Sequence, residues 1–352
     1  MKNILSKTID KNMKIKKLKV LFLGGLALLM SCGSNEQKAT SEDKPEKYPS
    51  DVVSNLPKWK ILLGNGESSS DLINFEHPEF FYDVNDGKDW VVYKAPNGGI
   101  TSPNSHNTRS ELGEKRRWKP MEGGKLSGTL KVMHVSTKGD ARVASSYSVV
   151  VGQIHSDDGH ENEPLKIFYK KFPGHTKGSV FWNYEINTEG ENDGRWDFSS
   201  AVWGYDMSVK GTDIEDFPEE PQDGIELGEV FSYEVNVYEG IMELTFKSEG
   251  HETKTFTKNL TATDFLNEAD IPQQILNRVS TRRTGTEKQT AYAGENQFFK
   301  QGAYNQTNGK NMGDRADLVT YGGDLQKQYE NGCYTEVWFS DSYLGPGEPT
   351  SK

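Results

Sequence analysis

The sequence is poor in cysteine, since only Cys32 and Cys333 occur among 352 residues. Two thiols exclude a disulfide-stabilised scaffold, and the histidines lack the spacing of a zinc site. We therefore expect no metal and no cofactor, and we interpret Cys333 as a small structural residue. The acidic runs 157–163 and 213–220 are predicted to be solvated turns. A calcium ion bound at one of them stays an open alternative, although neither run has EF-hand spacing.

Long apolar runs are also lacking. The run Leu21–Met30 is too short for a transmembrane helix, which needs about 20 apolar residues. Lysines are dense before it, from Lys11 to Lys19, so residues 1–31 are predicted to be an export signal. The ending Met30-Ser31-Cys32 resembles the lipobox of bacterial lipoproteins, with Cys32 as the lipidated residue. An ordinary secretory signal is the alternative.

Aliphatic residues are scarce between Gly33 and Ser54, so this stretch cannot bury enough surface to fold. We predict a flexible tether over residues 32–55 and one domain over residues 56–352. The expected location is the bacterial cell envelope, lipid-anchored at the outer membrane. Whether the protein faces the periplasm or the cell surface stays open.

Helical periodicity is rare and is predicted only at Thr263–Ala269 and Pro272–Val279. Most other segments are short, rich in β-branched or aromatic residues, and separated by glycine, asparagine, aspartate or proline. Ala144–His155 and Ile241–Phe246 are typical examples. This spacing predicts an all-β antiparallel sandwich or barrel.

The formal net charge is −11, and it falls to about −17 without the lysine-rich residues 1–31. We therefore expect no nucleic-acid partner. An anionic substrate stays compatible with this charge, because repulsion is screened beyond about 8–10 Å at ordinary ionic strength. Basic residues are dense near one candidate strand, at Lys115, Arg116, Arg117 and Lys119.

Three stretches that are distant in sequence contain polar and titratable residues at the alternating spacing of a β-strand. They are Arg109-Ser110-Glu111-Leu112, Gln153-Ile154-His155 and 298–306 (FFKQGAYNQ). Because side chains alternate across a strand, Arg109 and Glu111 share one face, and Gln153 shares a face with His155. In the third stretch the outward face is predicted to hold Phe298, Lys300, Tyr304 and Gln306, leaving Phe299 and Ala303 for the core. Such a surface suits an anionic substrate and proton transfer.

In this order the stretches resemble the signatures R-[ST]-E-[LV]-R, Q-[IV]-H and Y-F-K-A-G-x-Y-N-Q of the alginate lyases of polysaccharide lyase family 7. The resemblance runs from about Pro57 to near the C-terminus. It implies a β-jelly roll of two antiparallel sheets with a concave substrate groove. It also implies cleavage of alginate, an anionic polysaccharide, by β-elimination. We expect a monomer that meets the membrane only through its lipid anchor.

The resemblance implies roles for individual residues. Arg109, Gln153 and His155 neutralise the C6 carboxylate of the sugar. Tyr304 is base and acid for mannuronate, whereas for guluronate His155 is the base and Tyr304 the acid. The further residues expected to bind substrate are Glu111, Lys300, Asn305, Gln306 and Arg116.

This sequence departs from the family pattern at Gly113, where an arginine is usual, at Gln301, where an alanine is usual, and at Phe298, where a tyrosine is usual. Loss of the arginine removes one cationic contact to the polymer. We further predict that the stretches 322–343 and 189–197 close one end of the groove, which favours exo cleavage, with endo cleavage as the open alternative.

Two other functions stay open. One is a lyase for another polyuronate such as glucuronan, and the other is a surface glycan-binding lipoprotein without catalysis. A jelly-roll glycoside hydrolase is disfavoured because no Glu-x-Asp-x-x-Glu strand supplies two carboxylates about 5–5.5 Å apart. The preference for mannuronate or guluronate is not readable from these residues.

Overall fold

The computed structural model describes residues 47–158, 160–188, 196–264, 276–277 and 287–350. They belong to one compact unit, Glu46–Lys352. The strands in chain order are β1 (Trp59–Leu62), β2 (Ser68–Ser69), β3 (Phe81–Asn85), β4 (Asp89–Pro96), β5 (Arg109–Glu114), β6 (Gly124–His134), β7 (Ser148–Ser156), β8 (Leu165–Lys170), β9 (Lys177–Glu185), β10 (Trp196–Trp203), β11 (Ile225–Glu226), β12 (Val230–Tyr238), β13 (Ile241–Ser248), β14 (Lys254–Asn259), β15 (Leu276–Asn277), β16 (Gln297–Asn305) and β17 (Tyr334–Gly345).

These strands form two antiparallel sheets, as the all-β prediction requires. The larger sheet has the order β15-β10-β9-β8-β7-β16-β5-β1-β2, with β11 paired to β9. The second sheet has the order β14-β13-β12-β6-β17-β4-β3. Strands distant in sequence are neighbours in both sheets, which is the arrangement of a jelly-roll sandwich.

The main core fills the space between the two sheets. Along β13, Met242, Leu244 and Phe246 are buried in this core while Glu243 and Thr245 are more exposed. Strands of the larger sheet follow the same alternation, although many of their outward side chains are also buried. Part of the outer face of the larger sheet is therefore covered by other parts of the chain.

Gln301 shows how the chain accommodates its departure from the usual alanine. Its side chain is buried between the sheets, where the amide nitrogen donates to the Tyr233 hydroxyl over 2.7 Å. The amide oxygen accepts from the Ser342 hydroxyl over 2.6 Å. Because Ser342 belongs to β17, this glutamine connects the two sheets and does not face the substrate side.

Helices are few and short in the part of the chain that the structure describes. They are α1 (Pro49–Val52), α2 (Asp317–Thr320) and α3 (Leu325–Glu330), with 3₁₀ turns at Leu56–Lys58, Gly313–Arg315 and Tyr321–Gly323. Among the described residues, no helix is long and apolar enough to cross a membrane. The predicted helix Thr263–Ala269 lies mostly outside the described residues. Within Pro272–Val279 the described pair Leu276–Asn277 is a strand, so that prediction of a helix is wrong there.

Two predicted boundaries need correction. The predicted tether over residues 32–55 extends too far, because the folded unit begins at Glu46 and Val53 is buried in the core. The predicted groove wall over 322–343 is also wrong in its second half. Residues Tyr334–Gly345 form β17, which lies between β6 and β4 in the smaller sheet. The second predicted wall, 189–197, lies largely outside the described residues.

Cys333 precedes β17 and is fully buried. Burial raises the pKa of its thiol to about 11, so the thiol stays protonated at neutral pH. This environment is that of a small structural side chain.

Candidate active site

The three sequence motifs lie on adjacent strands of the larger sheet. Tyr304 of β16 pairs with Arg109 of β5, and on the other side Lys300 pairs with Gln153 of β7. Ser110, Leu112, Ile154, Phe299 and Ala303 point inward, as predicted. Arg109, Glu111, Gln153, His155, Lys300 and Tyr304 consequently share the outer face.

Arg109 and Tyr304 are in direct contact. The guanidinium carbon of Arg109 lies 3.7 Å from the centre of the Tyr304 ring. The Ser105 hydroxyl oxygen connects the same two residues, because it accepts from Nη2 of Arg109 over 3.0 Å and lies 3.3 Å from the Tyr304 hydroxyl. The Nε atom of Arg109 is buried and has no hydrogen-bond partner. One N–H donor of the guanidinium thus lacks an acceptor within the protein.

Glu111 is the buried anion beneath this pair. Its carboxylate lies 3.2 Å from Arg109 Nη1 and 3.2 Å from Lys300 Nζ, and it accepts from the Gln153 amide. Burial alone would raise the pKa of this carboxyl, but the charges of Lys300 and Arg109 outweigh burial and hold its pKa below the usual range. Glu111 is therefore ionised and orients three groups of the face, although it lines the cavity as well.

The environment of Tyr304 favours its ionised form. Burial raises the pKa of the phenol, but the Arg109 charge, the Lys166 charge and the Ser105 hydrogen bond together bring the pKa below its usual value. The ring packs against Val150 and Met207 on the outer face, in a cluster separate from the main core. Tyr304 therefore lies on the outer face of the larger sheet, as predicted.

His155 is one strand away, on β7. Its Nδ1 lies 2.6 Å from the Ser156 carbonyl oxygen. A carbonyl can only accept, so Nδ1 carries the proton and Nε2 keeps a lone pair. Burial and the Lys300 charge lower the pKa of the imidazole, which is thus neutral at pH 7. The centre of the imidazole ring lies 5.1 Å from the centre of the Phe298 ring. The guanidinium carbon of Arg117 lies 3.8 Å from the centre of the same Phe298 ring.

Gln153 is buried beside these groups. Its amide nitrogen donates to Glu111, while its amide oxygen has no partner. The open space next to this face is a cavity of about 320 Å³. Its lining includes Arg109, Glu111 and Lys300, together with Lys60 and Gly113.

Three residues predicted to bind substrate lie elsewhere. Asn305 is fully buried, and its amide donates to the Pro96 carbonyl over 3.0 Å and to Asn97 over 2.9 Å, so it anchors the end of β16. Gln306 is also buried, and its amide reaches only the Tyr304 carbonyl, at 3.5 Å. Arg116 binds Glu114 over 3.2 Å and lines a different depression, beside Leu344 and Pro346.

Several residues of this face were missed by sequence reasoning. Lys166 of β8 is buried, 2.5 Å from Glu185 and 2.9 Å from Glu163. A lysine within a strand of apolar and aromatic residues could have been predicted to lie on the outer face with the other polar residues. Glu163 lies in a run that the sequence predicted to be a solvated turn, so that prediction is wrong for this residue. Ser105 belongs to a loop, and nothing in its local sequence marks it.

The strand register produces a continuous polar row across the outer face. It takes one residue from each of seven neighbouring strands, in the sheet order β1-β5-β16-β7-β8-β9-β10. These residues are Lys60, Gly113, Lys300, Gln153, Lys166, Asn183 and Ser199. The oxygen of the buried Asn183 amide has no partner. We call this set the polar row.

The polar row is covered at its β10 end. After β10 the chain folds back so that the Met207 backbone nitrogen donates to Ser199 over 3.0 Å. The Met207 sulfur accepts from the Asn183 amide over 3.4 Å. At the β1 end Lys60 is exposed and the cavity is open. One end of the face is thus closed and the other is accessible.

Metal ligands do not gather in the described part of the chain: no three His, Cys, Asp or Glu side chains lie close enough there to hold an ion. In the acidic run 157–163, Asp157 binds Arg117 over 2.5 Å and Glu163 binds Lys166. These carboxylates act as partners of cations around the site.

The fold and the site define a polysaccharide lyase, because a jelly-roll sheet here presents a guanidinium, an imidazole and a phenol of lowered pKa on one face, and the guanidinium lines the cavity there. The family model Alginate_lyase2, described as alginate lyase, matches residues 54–344. The chain belongs to this family, and it is an enzyme that cleaves alginate.

The crystal structure of the exolytic PL7 alginate lyase AlyA5 from Zobellia galactanivorans is 60% identical, with a TM-score of 0.81 over 86% of this chain and 99% of that one. An alginate lyase of Klebsiella pneumoniae is 30% identical over 244 residues, which cover 61% of this chain and 68% of that protein. The family 7 alginate lyase A1-II′ with substrate (GGMG) is 16% identical, with a TM-score of 0.55 over 88% of this chain and 100% of that one. This last likeness concerns the fold alone.

Proposed function

We propose that this lyase carries out β-elimination with Arg109, Gln153, His155 and Tyr304 as its catalytic groups. The C5 proton leaves, a C4–C5 double bond forms, the C4–O bond breaks, and the leaving oxygen takes up a proton. The atoms balance without water or a cofactor. The transition state carries extra negative charge on the sugar carboxylate, and stabilising such charge is usually the largest catalytic term.

The observation that carries this proposal is the stacking of Arg109 on Tyr304 at 3.7 Å. One guanidinium can thereby pair with the sugar carboxylate through its unpartnered Nε and lower the pKa of the adjacent phenol. The base is then next to the charge that makes the C5 proton acidic. In this proposal Tyr304 removes the C5 proton of mannuronate and returns a proton to the leaving oxygen.

His155 is the base that we propose for guluronate, whose C5 proton lies on the opposite face of the ring. The lowered pKa of its imidazole and the proton on Nδ1 leave a basic Nε2 at neutral pH. Tyr304 then serves as acid only. Lys300 is a substrate-binding residue in both cases.

We also propose that cleavage is exolytic. The fold-back of the chain at Met207 covers the β10 end of the polar row, so a polymer has room to continue only toward β1. A groove with one closed end accepts the end of a chain more readily than its middle. The 60% identity to an exolytic lyase supports this proposal.

A lipid anchor at Cys32 is the last part of the proposal. The lysines and the apolar run Leu21–Met30, followed by Ser31-Cys32, support export and lipidation. Acylation would hold the folded unit at the bacterial outer membrane through the residues before Glu46.

Tyr304→Phe tests the catalytic assignment. Because general acid–base groups contribute about 10²–10⁴-fold, turnover of poly-mannuronate and of poly-guluronate should fall by at least 10²-fold, while binding of oligouronates measured by calorimetry changes little. For Arg109→Ala we expect turnover to fall more than binding. Turnover by Tyr304→Phe near the wild-type rate would remove Tyr304 from the reaction, and equal losses in Arg109→Ala would make Arg109 a binding contact only.

Ser105→Ala tests the tuning of the phenol by its pH dependence. Loss of the hydrogen bond raises the pKa of Tyr304, so the rising limb of kcat against pH on poly-mannuronate should move to higher pH. At pH 7 the rate should drop about three- to tenfold, because a hydrogen bond contributes roughly 0.5–1.5 kcal/mol and its loss lowers the fraction of phenolate by that factor. Ser208→Ala, an exposed serine on another loop, is the control. An unmoved limb would contradict the proposed tuning.

Product sizes over time test the exolytic proposal. We expect short unsaturated products from the first minutes, while the viscosity of the polymer falls slowly relative to the rise in unsaturated-product absorbance. Gel filtration of samples taken at equal extents of cleavage gives the size distribution. Intermediate-length products early in the reaction, with a rapid fall in viscosity, would establish endo cleavage.

Cys32→Ser tests the anchor. The full chain expressed in a bacterium should be found in the membrane fraction and carry acyl groups detectable by mass spectrometry of its N-terminal peptide. The variant should lose both. A wild-type protein that is soluble and unacylated would favour the ordinary secretory signal.

A further inference from the structure

Lysines recur along the polar row on every second strand. Lys60 lies on β1, Lys300 on β16 and Lys166 on β8, separated by Gly113 and Gln153. Neighbouring strands are about 4.8 Å apart, so successive lysine positions are about 10 Å apart. A 1,4-linked pyranose advances a polymer by about one strand spacing. A polyuronate lying across the strands therefore meets a lysine position at every second sugar.

Lys60 differs from the other two lysines in its neighbours. Lys300 is partly buried and lies 3.2 Å from Glu111, and Lys166 is buried between Glu163 and Glu185. Lys60 is exposed, and within the described residues no carboxylate lies at ion-pair distance from its amine. It lines the open end of the cavity that contains Arg109. Its charge is consequently uncompensated where an anionic chain would enter.

The Lys60 side chain lies against Gly113. A Cβ atom built on Gly113 would be 3.5 Å from Cε of Lys60 and 4.0 Å from the Phe298 ring. The Lys60 stem thus crosses over Gly113 toward β16, filling the space that a side chain at 113 would take. The family pattern has an arginine at this position, and in this protein the Lys60 stem lies next to it.

We propose that Lys60 binds the carboxylate of a uronate about two sugars from the sugar above Lys300, on the open side of the cavity. Lys60 is a specificity residue for chain length in this proposal, because only substrates long enough to reach β1 contact it. The proposal rests on the proposed function, in which the polymer extends from the catalytic groups toward β1.

The test is kcat/KM against alginate oligomers of increasing length. For Lys60→Ala we expect a five- to tenfold loss on long chains, expressed in KM, and less than a twofold change on the shortest oligomer that is cleaved. The loss should shrink with added salt. Lys60→Arg should retain most of the wild-type value. Lys247→Ala, an equal charge change on the exposed face of the other sheet, should leave every length unchanged.

A rescue variant separates charge from structure. In Lys60→Ala/Gly113→Arg the guanidinium has room where the lysine stem lay, because the Gly113 Cβ position makes only ordinary contacts. We expect this double variant to recover long-chain kcat/KM to within about twofold of wild type. An equal loss at all lengths in Lys60→Ala, or no loss at any length, would overturn the proposal. Neither result bears on the catalytic groups, which the Tyr304→Phe measurement tests independently.

Discussion

The site depends on one buried carboxylate. Glu111 contacts Arg109 on its own strand, Lys300 on β16 and Gln153 on β7, so a single anion fixes side chains from three strands. Removing Glu111 would leave the charges of Arg109 and Lys300 without their shared partner, which is strongly destabilising. Two cations share one carboxylate here, and the group keeps a net charge of +1. That surplus is what a phenolate at Tyr304 or a sugar carboxylate needs.

Burial strengthens the electrostatic effect of this net positive charge. Arg109 is 7% exposed and Tyr304 is 9% exposed, so water screens their interaction weakly. Burial by itself would raise the pKa of the phenol, yet the pKa is lowered because the Arg109 charge, the Lys166 charge and the Ser105 hydrogen bond outweigh burial. The same burial keeps His155 neutral. One environment thus lowers the pKa of both the phenol and the imidazole.

Strand alternation explains why much of the site was predictable from sequence. A period of two residues places Arg109 with Glu111 and Gln153 with His155 on common strand faces with no knowledge of the fold. That these faces lie on the same side of one sheet follows from the pairing of β5, β16 and β7. The same rule was not enough beyond β16. Asn305 and Gln306 stand where the strand ends and the chain turns inward, so their amides bind backbone groups.

Other features depended on contacts that are distant in sequence. Ser105 reaches Tyr304 only because the loop before β5 folds over the sheet, and Met207 covers Asn183 only after the chain turns back from β10. Glu163 belongs to an acidic run, and only its 2.9 Å contact with Lys166 separates it from a solvated turn. Such pairings follow from the tertiary fold and have no local pattern.

The negative net charge of the chain is compatible with an anionic substrate because many carboxylates near the cavity already have cationic partners. Glu163 and Glu185 flank Lys166, Asp157 binds Arg117, and Glu111 is held by two cations. The remaining repulsion between the substrate and distant carboxylates acts over distances at which salt screens it. The negative net charge of the whole protein therefore does not by itself oppose binding of an anionic chain at the cavity, where Arg109, Lys300 and Lys60 supply positive charge.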